Sequence, residues 1–353
     1  MLQRSKPRRA TPRDGTLAPG GMVQVGPLTS LPDILRDLGC DDAAPLFVRV
    51  GLEPTLLENP ENRAPFAAVS RVLTECVAAT GCDHLGLLLG QRVDPSSLGL
   101  AGFMLRSAPD TGTALRTLVQ FLNLTDEGGV GVLETSGGVT LLGYAIYQPD
   151  TESIDVIYDM TTTFACRIMR LLCGEEWNPS EVLLARHPPR DAAPYRAFFR
   201  APLRFRSEYN AVAFPTRWLN HRPPGADAML FRHLQKQAEE LQRRREPGLI
   251  EELHRALRAG LLNHGCAIGK IAARLGMHER SLHRRLRAEG TSFRRELDAV
   301  RFAVARQYLA ESEASMAEIA SAIDYADASA FTRAFKRWAG TTPQKWREQS
   351  RRN

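Results

Sequence analysis

The sequence contains no uninterrupted stretch of about 18 apolar residues, the minimum for a membrane-spanning helix, although 43% of its 353 residues are hydrophobic. The N-terminal segment MLQRSKPRRATPRDG is basic and lacks the apolar core of a secretory signal. It also offers almost nothing to bury, so we expect residues 1–20 to form a disordered basic arm. These absences predict a cytoplasmic protein with no membrane partner.

Metal-binding and catalytic motifs are also missing. The six cysteines form no CxxC pair and no Cys/His metal spacing, so we interpret them as buried thiols in a reducing compartment. The sequence has no HExxH, no GxSxG, no phosphate-binding P-loop and no GxGxxG. His84, His187 and His221 are isolated from one another in the sequence. We therefore expect a protein that is not an enzyme and that carries no cofactor and no metal.

Charge is distributed unevenly along the chain, whose formal net charge is +6. Residues 1–14 carry five Lys or Arg against one Asp, and residues 263–353 carry 17 Lys or Arg against 10 Asp or Glu. The stretch between them has 24 basic and 29 acidic residues. A near-neutral body with a basic C-terminal third indicates one part that binds an anionic polymer and another part with a different role.

Helical and strand patterns are mixed in the first 225 residues. The spacing of apolar residues predicts helices at residues 64–79 and 113–124, and a long helix at 153–173. Ser136-Gly137-Gly138 is typical of the turn in a β-hairpin. The remaining predicted elements are a helix at 192–199 and strands at 130–134, 139–147, 181–186, 203–206 and 211–214. We expect residues 21–225 to form an α+β domain, with helices around a small antiparallel sheet.

A helix predicted at residues 226–245 follows this domain. The basic run after Leu241 and the dipeptide Pro247-Gly248 end it, because Pro and Gly interrupt helices. We expect residues 226–248 to form a linker helix and residues 249–353 to form a separate domain. One face of the helix carries an apolar stripe that either packs on its own domain or meets a second copy of the chain. The stripe consists of Leu230, Leu234, Ala238 and Leu241.

The last hundred residues are helical in pattern and contain an internal repeat. IAARLGM-HERSLHRRLR, residues 271–287, aligns with IASAIDYADASAFTRAFKR, residues 319–337. The apolar positions coincide, with Leu282 opposite Phe331 and Leu286 opposite Phe335. Each copy predicts a helix, a short turn and a second helix, and a further helix joins the two copies. The C-terminal domain is therefore expected to be all-α, with two helix-turn-helix units.

The second helix of each copy has one apolar face and one polar face. At helical spacing, the polar positions of the first copy are Arg280, His283, Arg284 and Arg287. Those of the second copy are Ser329, Thr332, Arg333 and Lys336. Arginine can bridge two acceptors of guanine, and Ser, Thr and His can bond base edges or phosphates. Two such helices in a basic domain predict binding of double-stranded DNA.

These residues resemble the DNA-binding domain of AraC/XylS-family transcriptional regulators over about ninety positions. The similarity runs from IGKIAARLGM to the segment ASAFTRAFKRWAGTTPQKWR. The resemblance implies a homodimeric transcriptional activator that binds adjacent major grooves of DNA and contacts RNA polymerase. By the family pattern, Arg280, His283 and Arg284 face bases in one groove, and Ala328, Ser329, Thr332 and Arg333 face bases in the next. Together with Ser281, Arg287 and Lys336, these residues form the set that we expect to contact DNA.

Two residues depart from that family pattern. Asp324 stands where the second turn usually has Gly. Because Asp tolerates a left-handed backbone better than most residues, we expect the turn to form at modest cost. His278 stands where a Ser or Thr usually caps the second helix of the first unit, so we expect a weaker cap there.

The first domain resembles the arabinose-binding-type domain of one branch of the same family, notably in GLAGFMLRSAPDTGTALR and in YRAFFRAPLRFRSEYNAVAFPTRWLNHRPPGAD. This resemblance implies a module that senses a small molecule, dimerises, or does both. Tyr144, Tyr147, Arg167 and Arg170 could line a pocket there, but we favour sheet-face tyrosines and solvated arginines. Two alternatives stay open: a ligand-independent DNA-binding protein, and an enzyme with a DNA-binding tail.

Overall fold

The structure is a computed structural model that describes residues 21–146, 148, 151–207, 209–244, 248–262, 265–311 and 314–350. Three sequence predictions fall outside these ranges. They are the disordered arm at residues 1–20, the pocket candidate Tyr147, and the Pro247 half of the expected domain boundary.

Helices and strands alternate in the first part of the chain, in the order that the sequence predicts. Helices α1–α9 are Leu31–Asp37, Ala44–Arg49, Phe66–Thr80, Leu85–Arg92, Leu100–Ser107, Thr111–Phe121, Ile154–Cys173, Ala193–Phe199 and Ala228–Arg244. Strands β1–β7 are Met22–Gln24, Arg63–Pro65, Gly129–Ser136, Val139–Ile146, Glu181–Leu184, Leu203–Phe205 and Ala211–Pro215. Short 3₁₀ turns lie at Gly26–Leu28, Pro54–Glu58, Pro95–Leu98, Leu122–Leu124 and Thr216–Asn220.

A five-stranded sheet with the strand order β3-β4-β7-β5-β6 forms the centre of this domain. The predicted hairpin is present, because β3 and β4 pair antiparallel from Ser136↔Val139 outward. Gly137 and Gly138 both have positive φ angles, 57° and 80°, which glycine adopts without steric cost. The α+β fold class is therefore confirmed.

One strand pair differs from the expected antiparallel sheet. Strands β5 and β6 run parallel, whereas the other neighbours in this sheet run antiparallel. Helix α8 lies between β5 and β6 in the chain and returns it to the same edge of the sheet. Two neighbouring parallel strands must be joined by such a crossover. The helix that the sequence predicts at residues 192–199 provides it.

Glycines allow the long helix α7 to pack closely on α4. A Cβ atom at Gly86 would collide with the backbone of Val156 on α7. A Cβ atom at Gly90 would lie 2.5 Å from the carbonyl oxygen of Met160. The segment GLLLG is therefore a helix-packing surface, which positions α7 across the inside of the domain.

Buried side chains of the first domain form two hydrophobic clusters among the described residues. The first, cluster A, joins α5, α6 and the C-terminal half of α7 to the sheet, and includes Phe121, Met169 and Phe214. The second, cluster B, joins α1, α3 and α4 to the start of α7, and includes Leu35 and Leu73. The two clusters meet along α7.

Helix α9 packs on the first domain more than the sequence indicates. Phe231 and Ala238 are buried in cluster A, and Leu234 packs against it. Leu230 and Leu241 are about half exposed. The apolar stripe is thus divided between the domain core and the surface, because the buried face is centred on Phe231 and Ala238. Over its described part, the expected linker helix therefore packs against the first domain.

The remaining chain is helical and has its own cores. Helices α10–α16 are Leu249–Leu262, Ile268–Arg274, Glu279–Ala288, Phe293–Glu311, Met316–Ala322, Ala328–Ala339 and Pro343–Ser350. Cluster C holds α10, α11, α12 and the first half of α13 together. Cluster D holds the second half of α13 to α14, α15 and α16. Helix α13 is therefore shared by both helix-turn-helix units.

No single helix in the described ranges combines the length and apolar composition that a bilayer requires. Helices α3 and α4 meet these criteria only when counted together, and the chain bends by 117° between them. Leu73 on α3 and Leu85 on α4 are both fully buried in cluster B.

Candidate nucleic-acid interface

The first helix-turn-helix unit consists of α11 and α12. Gly276 lies in the turn with φ 63°, where a side chain would be strained. Leu282 and Leu286 on α12 are fully buried against Leu253 and Leu257 of α10. This aliphatic packing holds α12 by a single face, so its opposite face is open to solvent.

The second unit consists of α14 and α15 and has an aromatic core. Phe331 and Phe335 are fully buried, with their ring centroids 5.7 Å apart in an edge-to-face arrangement. Phe335 also contacts the rings of Phe302, Trp338 and Trp346 at 5.4 to 6.5 Å. Edge-to-face pairs of this kind add stability beyond area burial alone.

The predicted polar faces point away from these cores. At 100° per residue, Arg284 lies on the side of α12 opposite the midpoint of Leu282 and Leu286. Arg333 has the same relation to Phe331 and Phe335 on α15. The exposed members of the predicted set are Arg280, His283, Arg284, Arg287, Ser329, Arg333 and Lys336. Ser281, Ala328 and Thr332 are partly exposed, and the Thr332 hydroxyl donates to the Ala328 carbonyl at 2.7 Å.

Both recognition helices, as we term α12 and α15, begin with a side-chain cap. His278 caps α12, with its Nδ1 accepting from the Arg280 amide at 3.3 Å. Asp327 caps α15 through a shorter bond, 2.7 Å, from the Ala330 amide. The expected weaker cap at His278 agrees with this longer contact.

Asp324 adopts the left-handed backbone that its position requires, with φ 59°. The Arg301 guanidinium on α13 donates to the Asp324 carbonyl at 2.8 Å and lies 3.4 Å from its carboxylate. The same guanidinium stacks on the Tyr325 ring, 4.7 Å from its centroid. Arg301 therefore fixes the turn that replaces the usual glycine, a contact that the sequence analysis did not identify.

Helix α13 sets the separation of the two units. It contains 19 residues and, at 1.5 Å per residue, spans about 28 Å. One turn of B-DNA measures about 34 Å. The length of α13 is thus of the same order as one turn of the duplex.

The three pocket candidates of the first domain that the structure describes have different environments. Tyr144 lines a cavity and donates from its hydroxyl to Asp126 at 2.5 Å. Arg167 donates to the Val93 carbonyl. Arg170 is buried, so its interpretation as solvated is wrong: it donates to the Trp177 and Phe198 carbonyls because both lie beside α7.

Two carboxyl groups in the first domain have raised pKa values, the half-buried Asp126 and the buried Asp159. Burial raises the pKa of Asp126 to about 6, although the Tyr144 hydroxyl and backbone amides oppose the shift. Burial also raises the pKa of Asp159 to about 7, against the opposing Arg186 guanidinium and Tyr195 hydroxyl. Arg186 and Tyr195 both bond to Asp159, so this group ties α7 to the segment around α8. In the part of the chain that the structure describes, His, Cys, Asp and Glu form no group of three suited to a metal.

Comparison with known proteins assigns both domains. A family model described as the arabinose-binding domain of AraC transcription regulators, N-terminal, matches residues 41–223. A model described as a helix-turn-helix domain matches residues 271–349 and thus includes both units. These matches correspond to the two resemblances in the sequence.

Relatives are similar over nearly the whole chain. The Ornithine utilization regulator of Pseudomonas aeruginosa is 27% identical over 338 residues, which is 93% of this chain and 96% of the relative. The HTH-type transcriptional regulator VirS of Mycobacterium tuberculosis is 26% identical over 332 residues, or 93% and 97% of the two chains. The crystal structure of the transcriptional regulator CdpR from Pseudomonas aeruginosa superposes with a TM-score of 0.42 at 24% identity, over 89% of this chain and 97% of CdpR.

The first family model covers just over half of the chain, and the second covers the units that carry the exposed arginines. The chain therefore belongs to the AraC family of DNA-binding transcriptional regulators that have an arabinose-binding-type, ligand-binding N-terminal domain.

Proposed function

We propose that this regulator inserts α12 and α15 into adjacent major grooves of one DNA duplex. The observation that carries the proposal is the matched position of Arg284 and Arg333, each opposite the buried face of its helix. The residues proposed to contact DNA are Arg280, Ser281, His283, Arg284, Arg287, Ala328, Ser329, Thr332, Arg333 and Lys336.

Each recognition helix brings a different set of groups to its groove. On α12, Arg284 is placed to bridge the O6 and N7 atoms of guanine, and Arg280 and Arg287 flank it to meet phosphates. On α15, Ala328 and Ser329 are small, so the backbone can come close to the bases around Arg333. The Thr332 hydroxyl is engaged by the Ala328 carbonyl, which leaves its methyl group for contact with a thymine methyl.

The test uses a duplex selected from a random pool by the full-length protein. Arg284→Ala and Arg333→Ala should each weaken binding by about 1–3 kcal/mol and relax selection at a few base pairs, about one helical turn apart. Arg71→Ala is the matched control, because Arg71 is exposed on α3 of the other domain. Unchanged affinity and selectivity in either recognition-helix variant would refute the groove assignment.

We propose that residues 249–353 form an independent DNA-binding domain. Clusters C and D lie entirely between Leu249 and Trp346, so this region supplies its own core. A fragment beginning at Gly248 should show helical circular dichroism, unfold cooperatively and bind the selected duplex. A fragment that lacks cooperative unfolding would overturn the proposed boundary at residues 226–248.

We further propose that the first domain, residues 21–225 together with α9, makes the protein a homodimer. Met229, Leu230 and Leu241 on α9 are large apolar side chains that stay exposed, and they support α9 as part of the contact. Two protomers double the phosphate contacts, so full-length affinity should fall more steeply with salt than that of the Gly248 fragment. Sedimentation as a monomer at micromolar concentration, or equal salt slopes, would contradict dimerisation.

The family supports the remaining parts of the proposal: a cytoplasmic, non-enzymatic activator that contacts RNA polymerase when an effector occupies the first domain. A reporter gene downstream of the selected duplex tests activation, since a repressor would lower its expression. If the protein binds DNA without an effector, expression of the reporter gene should be the same whichever metabolite is supplied. Purified protein screened against a metabolite library by thermal shift separates these two cases.

A further inference from the structure

The first domain contains a partly open cavity of about 120 Å³ where clusters A and B meet. Its walls come from α3, α6 and α7, from the hairpin β3–β4, and from the segment that follows β1. Protein interiors are close-packed, with few voids larger than a water molecule. An engineered protein cavity of about 150 Å³ stays dry and binds benzene. This cavity therefore has room for a compact ligand of about six heavy atoms.

The walls are almost entirely apolar. Phe66, Leu118, Met160, Phe164 and Ile168 represent the side chains from the three helices. Asp126 is the ionisable carboxyl group among the lining residues, and both of its oxygens are engaged. Its Oδ1 accepts from the Gly128 amide at 2.7 Å, and its Oδ2 accepts from the Tyr144 hydroxyl.

Such a lining discriminates between classes of ligand. An anion would be buried with no counter-charge among the lining residues, which is costly. A cation would meet only Asp126, whose two oxygens already accept from the Gly128 amide and the Tyr144 hydroxyl. A sugar would bury several hydroxyls, but Thr125 and Thr161 already donate to the carbonyls of Leu122 and Tyr158. The cavity is therefore suited neither to arabinose nor to an amino acid.

One polar group on the wall lacks a partner. The Ser97 hydroxyl is shielded from solvent and has no hydrogen-bond partner among the described residues. A buried hydroxyl without a partner destabilises the protein, because it has lost its hydrogen bonds to water. A ligand hydroxyl or carbonyl that reached Ser97 would remove this cost.

We propose that this cavity is the effector site and that it takes an uncharged, mainly apolar molecule, about the size of benzene or phenol, with one oxygen facing Ser97. The inference rests on the proposed sensor role of the first domain and specifies its ligand class.

A short path leads from the cavity to the DNA-binding domain. Leu122 and Thr125 line the cavity, and Asn123 lies between them on the same 3₁₀ turn. The Asn123 amide faces Arg255 of α10 at 3.2 Å, in the amide orientation that satisfies both groups. A ligand that shifts this turn would act directly on the first helix of the DNA-binding domain.

Benzene, phenol and arabinose are the probes, added at millimolar concentration to the full-length protein. Benzene and phenol should raise the unfolding temperature, phenol should bind more tightly, and arabinose should have no effect. Ala165→Leu places extra carbon atoms in the cavity from α7 and should abolish both shifts. If neither aromatic probe binds, or if Ala165→Leu binds them as the parent does, the cavity assignment is overturned while DNA binding stands.

Ser97→Ala provides an independent variant that does not fill the cavity. It should reduce the preference for phenol over benzene roughly threefold to tenfold, the value of one hydrogen bond, and leave benzene affinity unchanged. Ser180→Ala, an exposed serine before β5, is the matched control. An unchanged phenol preference in Ser97→Ala would overturn the role of Ser97.

The affinity of the selected duplex, measured with and without phenol, separates this inference from the proposed function. Aromatic binding that leaves DNA affinity and reporter expression unchanged supports the cavity assignment and contradicts the sensor role. Binding that changes either of them supports both.

Discussion

The two helix-turn-helix units share one geometry, but their cores consist of different residue types. The first buries leucines of α10 and α12, whereas the second buries a network of Phe and Trp rings around Phe335. The first turns at a glycine, and the second turns at Asp324 held by Arg301. What both retain is the left-handed turn residue, the capped helix and the arginine opposite the core. These features fix where a recognition helix points, and core chemistry can vary beneath them.

The surfaces of the two units also differ. The exposed face of α12 carries Arg280, Arg284 and Arg287. That of α15 combines small residues with Arg333, Lys336 and Arg337, and Arg337 is paired with Asp298. Longer side chains with more charge favour phosphate contacts, and smaller ones permit closer approach to the bases. If both helices contact DNA as proposed, we expect the first unit to contribute more of the affinity and the second more of the base discrimination.

Core substitutions should give the largest difference in the free energy of unfolding between the two units. Phe335→Ala should lower the free energy of unfolding by about 4 kcal/mol, and Leu286→Ala by about 3 kcal/mol, because the larger side chain leaves the larger cavity. Urea denaturation of the full-length variants measures both values. Val48→Ala on the exposed surface of α2 is the control and should change little. A greater loss for Leu286→Ala would show that the ring network adds nothing to the second unit.

Substitutions in the turns of the two units should give a smaller difference in stability. Asp324→Ala should cost about 1–2 kcal/mol, since alanine in the left-handed region costs about 1 kcal/mol and the 3.4 Å contact between the Asp324 carboxylate and Arg301 is lost. The bond from Arg301 to the backbone carbonyl of residue 324 stays. Asp324→Gly should cost less than Asp324→Ala, because glycine removes the backbone strain. In the first unit, Gly276→Asp should cost about 1 kcal/mol. Equal stability of the alanine and glycine variants at position 324 would contradict this account of the turn.

Substitutions of the two helix caps should change the stability of the protein in opposite directions. Replacing the longer imidazole contact by a carboxylate, His278→Asp, should stabilise the protein by about 0.5–1 kcal/mol. Removing the shorter contact, Asp327→Ala, should destabilise it by about 1 kcal/mol. Thermal unfolding with matched buffers distinguishes these values. A loss of stability in His278→Asp would mean that the imidazole does more than cap α12.

Low pH should destabilise the first unit through His254, which joins α10 to α13. His254 contacts Glu296 at 2.6 Å, and burial, opposed by that contact, lowers its pKa from the ordinary value of 6.5. The unfolded chain therefore takes up this proton before the folded chain does, so His254 reduces stability as the pH falls below about 6.5. Urea denaturation at pH 7.5 and 5.5 should show a smaller loss in His254→Gln than in the parent. The same loss in both would exclude this histidine as the cause.

The sequence predicts the DNA-binding domain far better than the ligand-binding domain. The bounds of α12 and α15 follow from residue spacing, because a cap, an apolar stripe and a turn signal lie within a few residues of one another. The turn at Asp324 was also predictable from local chemistry. Arg301 was not, since it lies 23 positions away and only the fold brings it to the turn.

The less predictable features of the first domain depend on contacts between distant segments. The parallel pairing of β5 with β6 depends on where α8 crosses. Arg170 looks like a solvated arginine in sequence, yet it is buried because two backbone carbonyls lie beside it. The cavity is lined by side chains from three helices and a hairpin, so no local sequence pattern predicts it.

Helix α13 has a consequence for the evolution of the sites that this protein controls. Because one rigid helix belongs to both cores, the two recognition helices keep a fixed distance and a fixed rotational phase. One inserted base pair turns the far half of a DNA site by about 34° and moves it by about 3.4 Å. If α12 and α15 occupy adjacent grooves as proposed, promoters under this regulator can drift by base substitution, whereas a single insertion or deletion between the two half-sites removes them from its control.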